Sequence, residues 1–182
     1  MREMGSGAFS KLLHQGRAKR LLTPFCAEGK ALGLVLFIGI CLGASAIGGA
    51  FTAQSVGSWY QELIKPSANP PGWVFAPVWT ALYTMMGIAA WLVWRQGSGQ
   101  RRAPMVLFGA QLALNVLWSA LFFGLRNPAA AFVEILVLFA FIVATAISFG
   151  RRSKAAALLF VPYILWVGFA SYLNAALWRL ND

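Results

Sequence analysis

The chain has 182 residues, 59% hydrophobic and only 11% charged, with a formal net charge of +10 and a mean hydropathy of +0.68. A soluble domain carries about 25% charged residues, so a water-soluble globule is excluded. The positive charge does not point to nucleic acid, because the basic residues sit in short segments between apolar runs, where they act as topology signals.

Residues 1–30 read as a basic, Gly-containing tail with Arg2, Lys11, Arg17, Lys19, Arg20 and Lys30. Such a segment is either without fixed structure or laid on an anionic membrane surface. Beyond it, charge is spaced at membrane length. No Asp, Glu, Lys or Arg lies between Lys30 and Glu62, Lys65 and Arg95, Arg102 and Arg126, or Lys154 and Arg179, and Glu134 alone interrupts the run from Arg126 to Arg151. A helix rises about 1.5 Å per residue, so about 20 apolar residues cross a bilayer core. The predicted spans are residues 31–51, 74–94, 104–123, 129–149 and 155–177. Residues 31–182 are therefore expected to form one all-α integral membrane domain, a bundle of five transmembrane helices.

The first span admits a rival reading. Its basic lead, the apolar run Leu32–Leu42 and Ala44-Ser45-Ala46 resemble a signal peptide with its cleavage site. The lead of 30 residues is long for that role, and the apolar run continues to Phe51, which favours a retained span. The loop that follows, residues 52–73, is too long for a plain connection. It holds the aromatic pair Trp59 and Tyr60, a short stretch with helical character, and Pro66, Pro70 and Pro71, which lower the cost of fixing one shape. A structured loop of this kind suits a lid over a ligand cavity.

The later spans carry an aromatic and polar pattern. Trp79 and Tyr83 share a face of the second span. Gln111, Asn115, Trp118 and Ser119 form a stripe on the third, and Trp166, Ala170 and Asn174 on the fifth. Polar groups facing lipid are costly, so these stripes are expected to face inward. They serve either as inter-helix hydrogen bonds or as a ligand site. Trp91, Trp94 and Trp178 lie at span ends, where Trp is at home. Gly109 and Ala113, four apart, offer a small-residue face for close packing, either within the subunit or between two copies. Glu134 reads as an interfacial carboxylate near Arg126, within snorkelling reach of the surface.

Twelve basic residues fall on one side of the spans and only Lys65, Arg126 and Arg179 on the other. Basic loops stay cytoplasmic, so the N-terminus is expected inside and the C-terminus and first loop outside. The single histidine, His14, lies in the tail, and Cys26 and Cys41 lack metal-ligand spacing. Neither a His-based triad, a metal site nor a phosphate-binding glycine loop is indicated. No catalytic residues and no required cofactor are expected.

The order W-Y-x-x-L-x-K-P-x-x-x-P-P-x-W-V-F-x-P-V-W-T-x-L-Y from Trp59 to Tyr83, with QLALNVLWSALFFG in the third span and VPYILWVGFASYLNAALWR in the fifth, resembles the TspO/MBR family. That family includes the tryptophan-rich sensory proteins and the translocator protein, or peripheral-type benzodiazepine receptor. The likeness runs over roughly residues 32–180 and is closer to the bacterial branch. It implies a multi-pass protein of a bacterial cell membrane, a homodimer in contact with the lipid bilayer, and a porphyrin or haem-type tetrapyrrole as ligand. The ligand-binding residues it implies are Trp59, Tyr60, Trp79, Tyr83, Asn115, Trp118, Trp166 and Ala170. A flat porphyrin can stack on Trp rings, and Asn115 can hydrogen-bond a polar group of the ligand. The implied role is a sensor or receptor in oxidative or light stress. Alternatives are a transporter of tetrapyrrole-like molecules and a light-dependent porphyrin-degrading enzyme, for which Trp79 and Trp166 match the implicated pair. The sterol-recognition segment of animal members is not matched: Ala175 and Ala176 replace its aromatics, and Tyr172 is too far from Arg179. This argues against cholesterol as a ligand.

Overall fold

A computed structural model describes the backbone of residues 6–97 and 102–182 and the side chains of residues 29–97 and 102–182. The elements are α1 (Ser6–Val56), α2 (Trp59–Glu62), a 3-10 turn (Gly72–Val74), α3 (Phe75–Trp94), α4 (Arg102–Ser119) continued by a π turn (Ala120–Gly124), α5 (Pro128–Gly150) and α6 (Lys154–Leu180). Five stretches are long and apolar enough to cross a membrane: Gly29–Val56, Gly72–Trp94, Arg102–Gly124, Pro128–Gly150 and Lys154–Leu180. Helices are favoured here because hydrocarbon offers no partner for a free backbone N–H or C=O. The boundary expected at residue 30 falls inside α1. Arg2, Arg101 and the side chains of the basic tail, including His14 and Cys26, lie outside the described residues.

Neighbouring helices close a ring in the spatial order α1, α3, α6, α5, α4 and back to α1. Helices α1 and α3 approach closely at Gly87, where a Cβ would lie 2.8 Å from the Cα of Ile38. Only a residue without a side chain allows α1 so close. Toward the α3–α4 connection the bundle is filled by apolar packing. Phe149 lies 5.9 Å from Phe108 and 5.4 Å from Phe160, ring centre to ring centre, alongside Met86, Ala89, Ala90 and Val93. At the other end a second cluster gathers Phe122, Ala131 and Leu177, and onto it dock Trp59, Tyr60 and Leu63.

Helix ends follow local chemistry. The side-chain oxygen of Asn127 accepts from Ala130 N at 2.9 Å, with Pro128 in the first turn of α5. Ser153 caps α6 in the same way, accepting from Ala156 N at 3.2 Å. Between the π turn and α5 the chain reverses through Arg126, whose φ of 53° is left-handed, while Leu125 N bonds to Ala120 O at 2.8 Å.

Two expectations are corrected. The first loop is shorter than residues 52–73 because α1 continues through Val56. There Ser55 donates to Phe123 O at 2.6 Å and ties the helix end to the π turn. Glu134 is not an interfacial carboxylate beside Arg126. It is 7% exposed, and both carboxylate oxygens lack a hydrogen-bond partner among the described residues, whereas Arg126 is exposed. The reason is helical spacing: Ala131, Glu134, Ile135, Leu138 and Ile142 form the buried face of α5.

Candidate functional site: an aromatic cavity beneath the first loop

A cavity of about 780 Å³ opens beneath the loop between α2 and α3. This falls within the range of ligand pockets, about 300–1,000 Å³. Four helices and the loop wall it, while α5 contributes no lining residue. The π turn completes the α4 side. Such turns reorient side chains locally and recur at functional sites. Here the turn carries Phe123 into the wall.

Seven of the eight residues named from the sequence line this cavity: Tyr60, Trp79, Tyr83, Asn115, Trp118, Trp166 and Ala170. The eighth, Trp59, does not. Its ring sits 5.8 Å from Phe122 in an edge-on contact, on the cluster that carries the lid. Trp59 and Tyr60 are adjacent on the single turn of α2 and so point in different directions.

The aromatic walls are mutually braced. Trp79 lies 5.7 Å from Tyr83 and 6.4 Å from Tyr163, centroid to centroid. Trp166 meets Phe75 edge-on at 6.0 Å. Trp118 stacks on Phe122 at 5.3 Å, and its indole N–H donates to the side-chain oxygen of Asn174 at 3.0 Å. The Asn174 amide in turn donates to Pro128 O at 2.7 Å. Asn174 therefore joins α6 to α4 and to the start of α5 and stands outside the lining.

Beneath the cavity floor runs a buried polar chain. Tyr83 OH donates to Asn115 Oδ1 at 2.6 Å, and Asn115 Nδ2 donates to Tyr163 OH at 2.6 Å. Tyr163 OH donates on to Gln111 Oε1 at 3.1 Å. Asn115 is 2% exposed and Gln111 fully buried. The polar capacity of Asn115, expected from the sequence to face the ligand, is thus largely used in holding two tyrosines. The reading as inter-helix hydrogen bonds holds at Gln111, Asn115 and Asn174, while Trp118, Trp166 and Ala170 line the cavity.

The lid is held by its own bonds. Tyr60 OH donates to Asn69 Oδ1 at 3.0 Å, and Asn69 Nδ2 donates to Pro70 O at 3.2 Å. Burial pushes the pKa of the Tyr60 hydroxyl up, with the bond to Asn69 acting in the opposite direction. Lys65 Nζ donates to Gln61 O at 3.0 Å and Leu63 O at 3.2 Å. Sequence reasoning missed the α1 wall, formed by Ser45, Gly48, Gly49, Thr52, Ala53 and Val56. These are mostly small residues that gave no aromatic or charge signal. It also passed over Lys65, the one basic residue of the lid, which was a usable signal.

Gly109 and Ala113 face away from the bundle, exposed on α4, and nothing lies within 4 Å of a Cβ built on Gly109. Contact within the subunit does not account for them.

The profile of the TspO/MBR family matches residues 37–179. The tryptophan-rich protein TspO of Chlorobaculum tepidum is 48% identical over 152 residues, which cover 82% of this chain and 96% of the relative. The tryptophan-rich sensory protein of Cereibacter sphaeroides is 42% identical over 146 residues, covering 80% and 89%. The human translocator protein is 40% identical over 126 residues, covering 68% and 75%. Together with the five apolar spans, these matches show that the chain is a multi-pass integral membrane protein belonging to the TspO/MBR family.

Proposed function

We propose that the protein is a membrane receptor that binds porphyrins and related tetrapyrroles in the cavity beneath the first loop and serves as a sensor in oxidative or light stress. One observation carries this reading: Trp79, Trp118 and Trp166 with Tyr83, Phe75 and Phe123 wall a single cavity of about 780 Å³. Such a space favours a flat, largely apolar ring system, since indole and phenyl faces stack on it while the surrounding walls exclude water. Relatives named as sensory proteins are consistent with the same reading. Spectral titration of the purified protein with protoporphyrin in darkness tests it. A saturable, stoichiometric shift with quenching of indole fluorescence is expected. Absence of both overturns it.

A second reading, light-dependent porphyrin breakdown, is favoured by Trp79 and Trp166 lining the same cavity. Illumination of the loaded protein separates the two: an altered pigment supports an enzyme, and an unchanged one a receptor. Vectorial flux of porphyrin in liposomes would instead support a transporter.

We further propose that residues 31–182 form the functional membrane domain in a bacterial cell membrane, with the N-terminus cytoplasmic and the C-terminus outside. The basic asymmetry of the connecting segments supports this orientation. Cysteine labelling at the two ends tests it, and a cytoplasmic C-terminus would overturn it. The domain is proposed to pair with a second copy through Gly109 and Ala113, whose exposed small faces permit close helix approach.

A further inference from the structure

The cavity wall is almost entirely neutral. Among its lining residues Lys65 alone carries a formal charge. Most other polar side chains around it are already engaged. The Thr52 and Thr80 hydroxyls donate to Gly48 O and Ala76 O of their own helices, and Asn69 is held by Tyr60 and Pro70. Lys65 differs. Its ammonium has three donors, two of which meet backbone carbonyls at 3.0 and 3.2 Å. It lies 5.0 Å from the ring centre of Tyr60, itself a cavity residue. No carboxylate side chain is among the lining residues.

The backbone that carries this ammonium is also held in advance. On one side of Lys65, Ile64 is clasped by the Asn181 amide, with Ile64 N donating to Asn181 Oδ1 at 2.8 Å and Asn181 Nδ2 donating to Ile64 O at 3.0 Å. On the other side Pro66 restricts the backbone. Glu62 stands three residues before Lys65 in the lid but is exposed and outside the lining, so a cation at the edge of a low-dielectric, aromatic space meets no carboxylate within the described cavity wall. It favours a ligand whose apolar body enters the cavity and whose anionic edge stays at the lid.

We propose that Lys65 is the anion-recognising residue of this cavity, pairing with a carboxylate on the rim of an otherwise aromatic ligand. The inference deepens the tetrapyrrole reading and rests on it: the carboxylate is then a propionate side chain, and Lys65 distinguishes acidic porphyrins from their neutral counterparts. Lys65 acts in binding and specificity and has no part in covalent chemistry.

The test compares protoporphyrin with its dimethyl ester, which keeps the ring and removes both charges. Each is titrated into the purified full chain by indole quenching, for the parent and for Lys65→Met and Lys65→Arg. A charge-assisted contact at a partly exposed site predicts that the parent prefers the acid by about five- to tenfold. Lys65→Met should bind both forms with affinities within about twofold of each other and should keep the parent's affinity for the ester, while Lys65→Arg should retain the preference. The ester is the internal control, because a lid that fails to form would weaken both ligands alike. An equal preference in the parent and in Lys65→Met, or no preference in the parent, overturns the role of Lys65 while leaving tetrapyrrole binding intact. Failure of both porphyrins to bind the parent overturns the tetrapyrrole reading and this inference with it.

Discussion

The hydroxyl of Tyr83 donates to the side-chain oxygen of Asn115 across 2.6 Å, joining α3 to α4 in the bundle interior. The same amide donates to Tyr163 of α6, so one side chain fixes three helices around the cavity floor. Replacing Asn115 by Leu leaves two buried hydroxyls without this partner. An unpaired buried polar group costs about 1–3 kcal/mol. Asn115→Leu should therefore lower the thermal midpoint in detergent clearly, and Tyr83→Phe, which leaves only Asn115 Oδ1 unpaired and keeps the amide's bond to Tyr163, should lower it less. Equal, negligible shifts in both would show that the chain carries no stability.

Asn181 bonds both backbone groups of Ile64 and also Leu177 O, linking the lid to the last turn of α6. Asn181→Ala should release the lid without unfolding the bundle, because each net hydrogen bond is worth only about 0.5–1.5 kcal/mol. Limited proteolysis should cut within residues 57–71 faster than in the parent, and porphyrin association and dissociation should both accelerate. Asn181→Asp keeps the acceptor for Ile64 N and should fall between the two. Unchanged cleavage would mean that the aromatic docking of Trp59 and Tyr60 alone closes the lid.

The five spans were legible because charge delimits them. The predicted end at Trp94 coincides with the end of an apolar span, and the other predicted ends differ from span ends by one to five residues. The inward stripes were also legible, since helical spacing alone aligns Trp79 with Tyr83 and Gln111 with Asn115. The α1 wall was not, because Gly48, Gly49 and Ala53 acquire a role only once the loop is placed over them. The direction of Trp59 was hidden because the single turn of α2 has no periodicity to read. The burial of Glu134 is legible in its spacing from Ala131 and Leu138, which marks the buried face of α5 more directly than distance from the span end does.

Gly87 makes a prediction about packing. An added methyl would press on Ile38 backbone atoms at 2.8 and 3.0 Å, which cannot rotate away. Gly87→Ala should destabilise by about 1–3 kcal/mol, the usual cost of overpacking. Gly39 has nothing within 4 Å of its Cβ position, so Gly39→Ala should be neutral or gain up to about 1 kcal/mol from helix propensity. Thermal unfolding of the two variants side by side decides whether close approach, and not glycine content, governs the α1–α3 contact.

The outward face of α4 bears on assembly. Gly109 and Ala113 are exposed between Val106 and Leu117, which are also exposed. Gly109→Leu should shift the detergent-solubilised protein toward monomer in light scattering, with secondary structure unchanged, because a bulky side chain prevents backbones from meeting. A dimer that survives would move the interface to another face.

The cavity tryptophans separate a binding role from a packing role. Trp79 and Trp166 line the cavity, whereas Trp59 packs on Phe122 outside it. Phe keeps most of the apolar volume of Trp, so each Trp→Phe change should leave the bundle folded. At a lining position it also removes ring area from the ligand, with aromatic contact worth about 0.5–1.5 kcal/mol beyond area burial. Trp79→Phe and Trp166→Phe should each weaken porphyrin binding about two- to tenfold and reduce indole quenching. Trp59→Phe should leave affinity near the parent value while loosening the lid, visible as faster proteolysis of residues 57–71. The three variants serve as one another's controls, because a general loss of stability would affect all of them alike. If Trp79→Phe and Trp166→Phe bind porphyrin as the parent does, the ligand lies elsewhere, and the aromatic walls serve packing alone.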